Sequence, residues 1–150
     1  MLLFGIIFFP KAYIFLNILL KRRKYYEKKV DIVDNFKARH RNLTKEQVEI
    51  IAEHNGVIGI NLWKKLLGNE DNSFDAVLRH MSEIIEVGGE DVIAMGTDFD
   101  GCDINDELAG IEKIPMLYDF LGNHGFDEKL LNKIFFDNAD RFFTNLLFTK

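Results

Sequence analysis

Beyond residue 40 the apolar positions fall into a repeating pattern. Val48, Ile51 and Ala52 recur at helical spacing behind Thr44 and Gln47, whose separation is that of a capping box, with Leu43 and Val48 at the staple positions. This predicts a helix from about Lys45, stopped by Asn55 and Gly56, residues suited to the left-handed turn that ends helices. Residues 57–62 are a short apolar run rich in β-branched side chains, which predicts a buried strand. Residues 63–72 read as a loop, and Asn72 or Ser73 is placed to cap a second helix. Its stripe of Phe74, Val77, Leu78, Met81, Ile84 and Ile85 ends at Gly88 and Gly89. Residues 92–95 are the next strand.

The order helix, strand, helix, strand is that of a parallel sheet with crossover helices. After Gly101 the strands stop. Pro115 can open a helix at its first position, and Asp127 can cap another. Leu130, Leu131, Ile134 and Phe135, then Phe142, Phe143, Leu146 and Leu147, complete a helical end. Two or three parallel strands do not finish a sheet of this class, and a closed barrel of it needs eight. The body therefore reads as an incomplete piece of a larger α/β fold.

The leader has a different pattern. Residues 2–20 are nearly all apolar, interrupted by Pro10, Lys11 and Asn17, close to the roughly 20 residues that cross a bilayer as a helix. Lys21, Arg22, Arg23, Lys24, Lys28 and Lys29 follow, which by the positive-inside rule would leave the body cytoplasmic. A cleavable signal peptide fits less well, because no basic stretch precedes the apolar run and no small-residue site follows it. Lys11 at mid-span opposes a membrane helix by about 2.5–3.5 kcal/mol on insertion scales. Two readings of residues 1–29 stay open: a hydrophobic helix that anchors the chain, or the remnant of a truncated or misassigned gene start. Residues 30–150 form the body.

Charge sharpens that division. The net charge of −5 hides a leader with seven basic residues and one acid, against 12 basic and 23 acidic residues in the body. So acidic a body, without a basic stripe interleaved with aromatics, excludes nucleic acid as a partner. Cys102 is the single cysteine and can close no internal disulfide.

The sharpest chemical signal is Gly96-Thr97-Asp98-Phe99-Asp100-Gly101, directly after a predicted strand. Carboxylates at the C-terminal end of a strand point to the face where parallel α/β proteins bind ligands. The same short pattern also recurs in turns for purely structural reasons. A calcium loop counted from Asp98 would need Gly and Glu where Asp103 and Ala109 stand, so that reading fails. A phosphatase of the haloacid dehalogenase type also uses Asp-x-Asp-Gly after a strand, with the first Asp as nucleophile. Here Gly96 and Thr97 intervene before that Asp, Cys102 follows the Gly, and only helices remain downstream. The phosphatase is a distant alternative.

Three separated blocks carry a more specific likeness. HRNLTKEQVEIIAEHNGVIGINLW, FDAVLRHMSEIIEVGGEDVIAMGTDFDG and IPMLYDFLGNHGFDEKLLNKIFFDNADRFF resemble, in order and spacing, the C-terminal region of the membrane (renal) dipeptidase family of zinc metallopeptidases. The likeness covers residues 41–148. It implies the C-terminal portion of a (β/α)8 TIM-type barrel, two zinc ions sharing a hydroxide, and a dipeptide as substrate. By the same resemblance Arg41 would grip the substrate's carboxylate or polarised carbonyl oxygen, a task suited to a rigid guanidinium fork. Asp98, as a catalytic and substrate-binding residue, would sit beside the substrate amine and the attacking water, and Asp100 and Gly101 would support the loop.

The resemblance also implies what is absent. The family takes its zinc ligands from an early His-x-Asp, a bridging Glu and two later histidines, all before the Arg-Asn pair. Here the segment matching the last of these corresponds at best to Ile32-Val33-Asp34-Asn35, which lacks histidine. His40, His54, His80 and His124 are the only imidazoles, and none is spaced from another as a metal pair. No zinc is expected to bind this chain alone. Three functional readings remain: a truncated dipeptidase inactive alone, half of a split enzyme completed by an N-terminal fragment on another chain, and a membrane-tethered interaction module.

Overall fold

The computed structural model describes residues 7–8, 42–68 and 73–148. His40, Arg41, Asn72 and the leader apart from Ile7 and Phe8 lie outside the described residues.

Helix α1 (Lys45–Glu53) begins as its sequence requires. The Thr44 hydroxyl accepts the Gln47 N–H at 3.3 Å and the Gln47 side chain accepts the Thr44 N–H at 2.9 Å, so two of the donors left over at a helix start are satisfied reciprocally. Asn55 takes the left-handed conformation (φ 54°), and the Gly56 N–H returns to the Ile51 carbonyl at 2.8 Å. Strand β2 (Val57–Ile60) comes next, with β1 (Ile7–Phe8) on its edge. Helix α2 (Lys64–Leu67) and helix α3 (Ser73–Gly88) lead to β3 (Ile93–Met95).

β2 and β3 pair in parallel, Ile58 with Ile93, Gly59 with Ala94 and Ile60 with Met95. The two helices between them make the crossover. Ile58, Ile60 and Ile93 face the main core of Val48, Ile51, Val77, Met81 and the later helices, while Val57 and Ala94 meet Phe142 on the other side. Burial on both faces explains why these strands are continuous apolar runs.

Three features depart from the sequence expectations. Residues 63–72 contain a helical turn, α2, because Leu67 is buried in the core and the chain is stopped only by Gly68 at φ 109°. The sheet is mixed, since β1 runs antiparallel to β2 (Ile7 with Ile58, Phe8 with Val57). At these two residues the leader is extended where a helix is expected; β-favouring residues there meet the open hydrogen-bonding edge of β2. Finally, the helical end is continuous but irregular.

A 3₁₀ turn (Ile111–Lys113) leads into α4 (Ile114–Asn123), with Pro115 in its first turn. The Asp127 carboxylate caps α5 (Glu128–Asn132) by accepting the Leu130 N–H at 2.8 Å. A π-helical turn (Lys133–Asp137) then joins α5 to α6 (Asn138–Phe148). Such a turn carries an extra residue and rotates the helix beyond it. Leu131, Ile134, Asn138 and Phe142 thus share the buried face, while Phe143 and Leu147 are 40% and 69% exposed. Among the described residues no helix is long and apolar enough to cross a membrane.

Candidate functional site

The two parallel strands stay bonded past their formal ends. Gly96 donates its N–H to the Ile60 carbonyl at 3.1 Å, and Leu62 donates to the Thr97 carbonyl at 3.4 Å. Asn61 and Asp98 are thereby delivered side by side at the C-terminal end of the sheet, the end where ligands meet parallel α/β folds.

Asp98 then takes φ 59°, a left-handed conformation that Asp tolerates better than most residues. Its carbonyl accepts the Gly101 N–H at 3.1 Å and faces the Cys102 thiol at 3.3 Å. Its side chain lies between Gly101 and the end of β2. There Oδ2 accepts from the Asn61 Nδ2–H at 2.9 Å. Asn61 is fixed at its other end too, since its Oδ1 accepts the Trp63 N–H at 2.8 Å. Gly101 leaves room for the carboxylate: a Cβ there would fall 2.2 Å from Asp98 Oδ1.

The walls around this turn come from residues 102–110. Lys64 pairs with the Asp103 carboxylate and donates its N–H to the Asp103 carbonyl. Trp63 makes an isolated antiparallel bridge with Ile104. Asn105 donates to the Ser73 hydroxyl at 2.6 Å, and Glu107 accepts the Ser73 N–H at 3.2 Å, placing a negative charge at the start of α3. The loop is therefore stitched to the start of each of the two crossover helices. Burial, then the charges of Asp98 and Asp103, push the Cys102 thiol up to about 11. It is a neutral thiol at pH 7 and not an activated nucleophile.

Of the residues singled out from sequence, Asp98 and Gly101 come together here. Asp100 stands exposed in the turn, and Arg41 lies outside the described residues. The described histidines are scattered. His54 and His124 each donate through Nδ1 to a carbonyl one helical turn back, of Ile50 at 2.8 Å and Phe120 at 2.7 Å. His80 is partly buried on α3, bonded to the backbone of Leu67, and burial lowers its pKa. Among the described residues no three His, Cys, Asp or Glu side chains gather where a metal ion could sit, so these residues do not by themselves fit the zinc pair implied by the resemblance.

Asn61 is the functional candidate that sequence reasoning passes over. An Asn directly after a strand reads as turn chemistry. Only the pairing of β2 with β3 brings its side chain within 2.9 Å of Asp98, two residues beyond its register position. The site also weakens the phosphatase alternative, because Asp98 is separated from the end of β3 by Gly96 and Thr97 and stands in a left-handed turn.

Comparisons with known proteins agree with the three sequence blocks. The family model described as membrane dipeptidase, peptidase family M19, matches residues 33–148. A protein from the pqqA 5′ region of Klebsiella pneumoniae is 33% identical over 111 residues, which are 71% of this chain and 41% of that protein. Among solved structures, dipeptidase AC, a family M19 metallopeptidase, is similar at a TM-score of 0.63 and 32% identity over 69% of this chain and 32% of its own. A metallopeptidase from Rhodobacter sphaeroides, liganded with a phosphinate mimic of the dipeptide L-Ala-D-Ala, is similar at a TM-score of 0.62 and 35% identity, over 66% of this chain and 30% of its own. The chain thus spans about a third of the length of these solved relatives.

Proposed function

The chain belongs to the membrane dipeptidase family, and from that premise we propose that it is the C-terminal portion of the (β/α)8 barrel of a zinc-dependent dipeptide hydrolase, silent without the rest of the barrel. The observation that carries the proposal is the placement of Asp98. It stands at the C-terminal end of a parallel strand, in a left-handed turn, with its carboxylate held toward the neighbouring strand by Asn61. A carboxylate so placed suits a substrate's ammonium group, which it meets by charge and hydrogen bond together. In this reading Arg41 grips the opposite, anionic end of the dipeptide, and Asp100 and Gly101 support the turn.

Zinc would supply the hydroxide that attacks the peptide bond in the family. The described residues offer no cage for it, and in this reading the ligands come from the upstream part of the barrel, whether in the same protein or in a complementing fragment. The residues of this chain bind and orient; they do not make water a nucleophile.

The test is hydrolysis of L-Ala-D-Ala. The chain alone, with added zinc, is expected to show none above background. Together with a polypeptide carrying the upstream two thirds of the relatives' fold, it is expected to hydrolyse the dipeptide. Hydrolysis by the chain alone that survives Asp98→Ala overturns the proposal.

A further inference from the structure

The Asn61 side chain is the most completely specified polar group at the strand ends. Its Oδ1 must face Trp63, because the backbone N–H there can only be met by an acceptor. With the oxygen so committed, the amide NH2 must point at Asp98 Oδ2, 2.9 Å away. The flip of the amide is thus decided by the chemistry of its two partners, not by shape. On the other side of the carboxylate, Oδ1 occupies the space that Gly101 leaves by lacking a Cβ. Asp98 itself sits on a backbone of φ 59° tied by its carbonyl to Gly101 and Cys102. Backbone, Asn61 and Gly101 together set the carboxylate toward the end of β2, and the Cys102 thiol, 3.9 Å from Asn61 Oδ1, lies against both Asn61 and the Asp98 carboxylate.

We propose that Asn61 is a positioning residue, which holds the Asp98 carboxylate in the orientation it presents to a ligand's ammonium group. The proposal rests on the dipeptidase reading for the identity of that ligand, but the hold itself does not. The physical requirement is a neutral donor. A carboxylate at this position would keep the turn to Trp63 and repel Asp98, and an apolar side chain would leave Asp98 free to rotate into solvent.

Asn61→Asp is the decisive variant, since it is nearly isosteric and keeps the oxygen that receives the Trp63 N–H. It exchanges the donor for an acceptor. As pH falls, a proton taken up by the introduced carboxyl restores a donor facing Asp98. In the complemented enzyme, Asn61→Asp is expected to lower kcat/KM for L-Ala-D-Ala by about 10-fold or more near pH 8, and the ratio to wild type should close as pH falls toward about 5.5. Asn61→Leu should show the loss without the recovery, and circular-dichroism melts of both variants check that they fold. A merely structural role would lower both variants alike at every pH, and that result, or wild-type kcat/KM for Asn61→Asp near pH 8, overturns the proposal.

A second readout on the full chain without any complement separates this inference from the dipeptidase reading. Carboxyl-detected NMR should find that the carboxyl introduced by Asn61→Asp titrates above the usual carboxylate range, and that adding Asp98→Asn returns it to that range. If it titrates as an ordinary surface carboxyl from the outset, the hold is absent and the inference fails even where the enzyme is active. If the coupled titration is seen but complementation yields no hydrolysis, the dipeptidase reading fails and the hold on Asp98 stands.

Discussion

Asn138 of α6 donates both amide hydrogens across the fold, one to the carbonyl of Glu90 at 2.7 Å and one to that of Ile93 at 2.8 Å. It is 2% exposed and clamps the entry of β3 to the C-terminal helix. Lys133, between Glu90 and Asp91, and Arg141, on the Asp91 carbonyl, flank the same clamp. Removing the amide leaves one buried and one part-buried carbonyl without their donors, the buried one a loss of about 1–3 kcal/mol. Asn138→Leu is expected to lower unfolding free energy by about 2–4 kcal/mol, and Asn138→Asp by at least as much, since a carboxylate would face two carbonyl oxygens. Urea denaturation of the three chains measures both.

Two glycines at the strand ends should separate stability from function. A Cβ at Gly96 would lie 2.9 Å from the Gly59 Cα, a backbone atom that can yield only by spreading the strands. Gly96→Ala should therefore destabilise by about 1–3 kcal/mol. A Cβ at Gly101 meets a side chain instead, Oδ1 of Asp98. Gly101→Ala should leave the melting temperature nearly unchanged and lower the activity of the complemented enzyme, because the carboxylate must turn aside. A melt and an assay of each variant check the contrast.

Cys102 should alkylate slowly at neutral pH. Burial, and then Asp98 and Asp103, hold its thiol at about 11, so the reactive thiolate is scarce until the solution is strongly alkaline. The rate of reaction with iodoacetamide is expected to rise with pH without levelling below about pH 10. Asp98→Asn removes a negative charge and should bring the rise to lower pH, while Asp106→Asn should not.

Stability should depend on His80 in a defined direction. Burial lowers its folded-state pKa beneath 6.5, so between the two values the unfolded chain binds more protons than the folded one. The contribution is fully present above the unfolded value and is lost as pH falls through the folded one. Glu83, raised mainly by burial, acts in the opposite sense near its ordinary value of 4.5. Urea midpoints measured from pH 8 to pH 5 should therefore fall less steeply in His80→Gln than in wild type, and the difference curve isolates the histidine. Parallel curves would mean that His80 does not titrate differently on folding.

Metal content and site variants test the assignment as a whole. After dialysis the purified chain should hold well under one equivalent of zinc, because the described residues include no ligand cluster. In the complemented enzyme Arg41→Ala and Asp98→Ala should each remove most of the activity, and Asp100→Asn should remove less. Two tightly held zinc ions on the chain alone would show that the site has been placed wrongly.

Local patterns in the sequence determined the helix boundaries and the class of the fold. The capping box at Thr44 and Gln47, the stop at Asn55, the cap at Asp127 and the two apolar runs that form β2 and β3 each depend on residues within one or two turns of each other. Their information is contained in neighbouring positions, so no partner need be known to read it. The three blocks likewise carried the family. Tertiary structure decided the rest. Asn61 and Asp98 are 37 residues apart, and the parallel register that joins them is not written in either neighbourhood. The partners of Asn138, just after the π turn, are carbonyls 45 and 48 residues earlier. The helix within residues 63–72 is invisible in the sequence for the same reason: a single turn is too short to show a period, and Leu67 forms it by finding a place in the core.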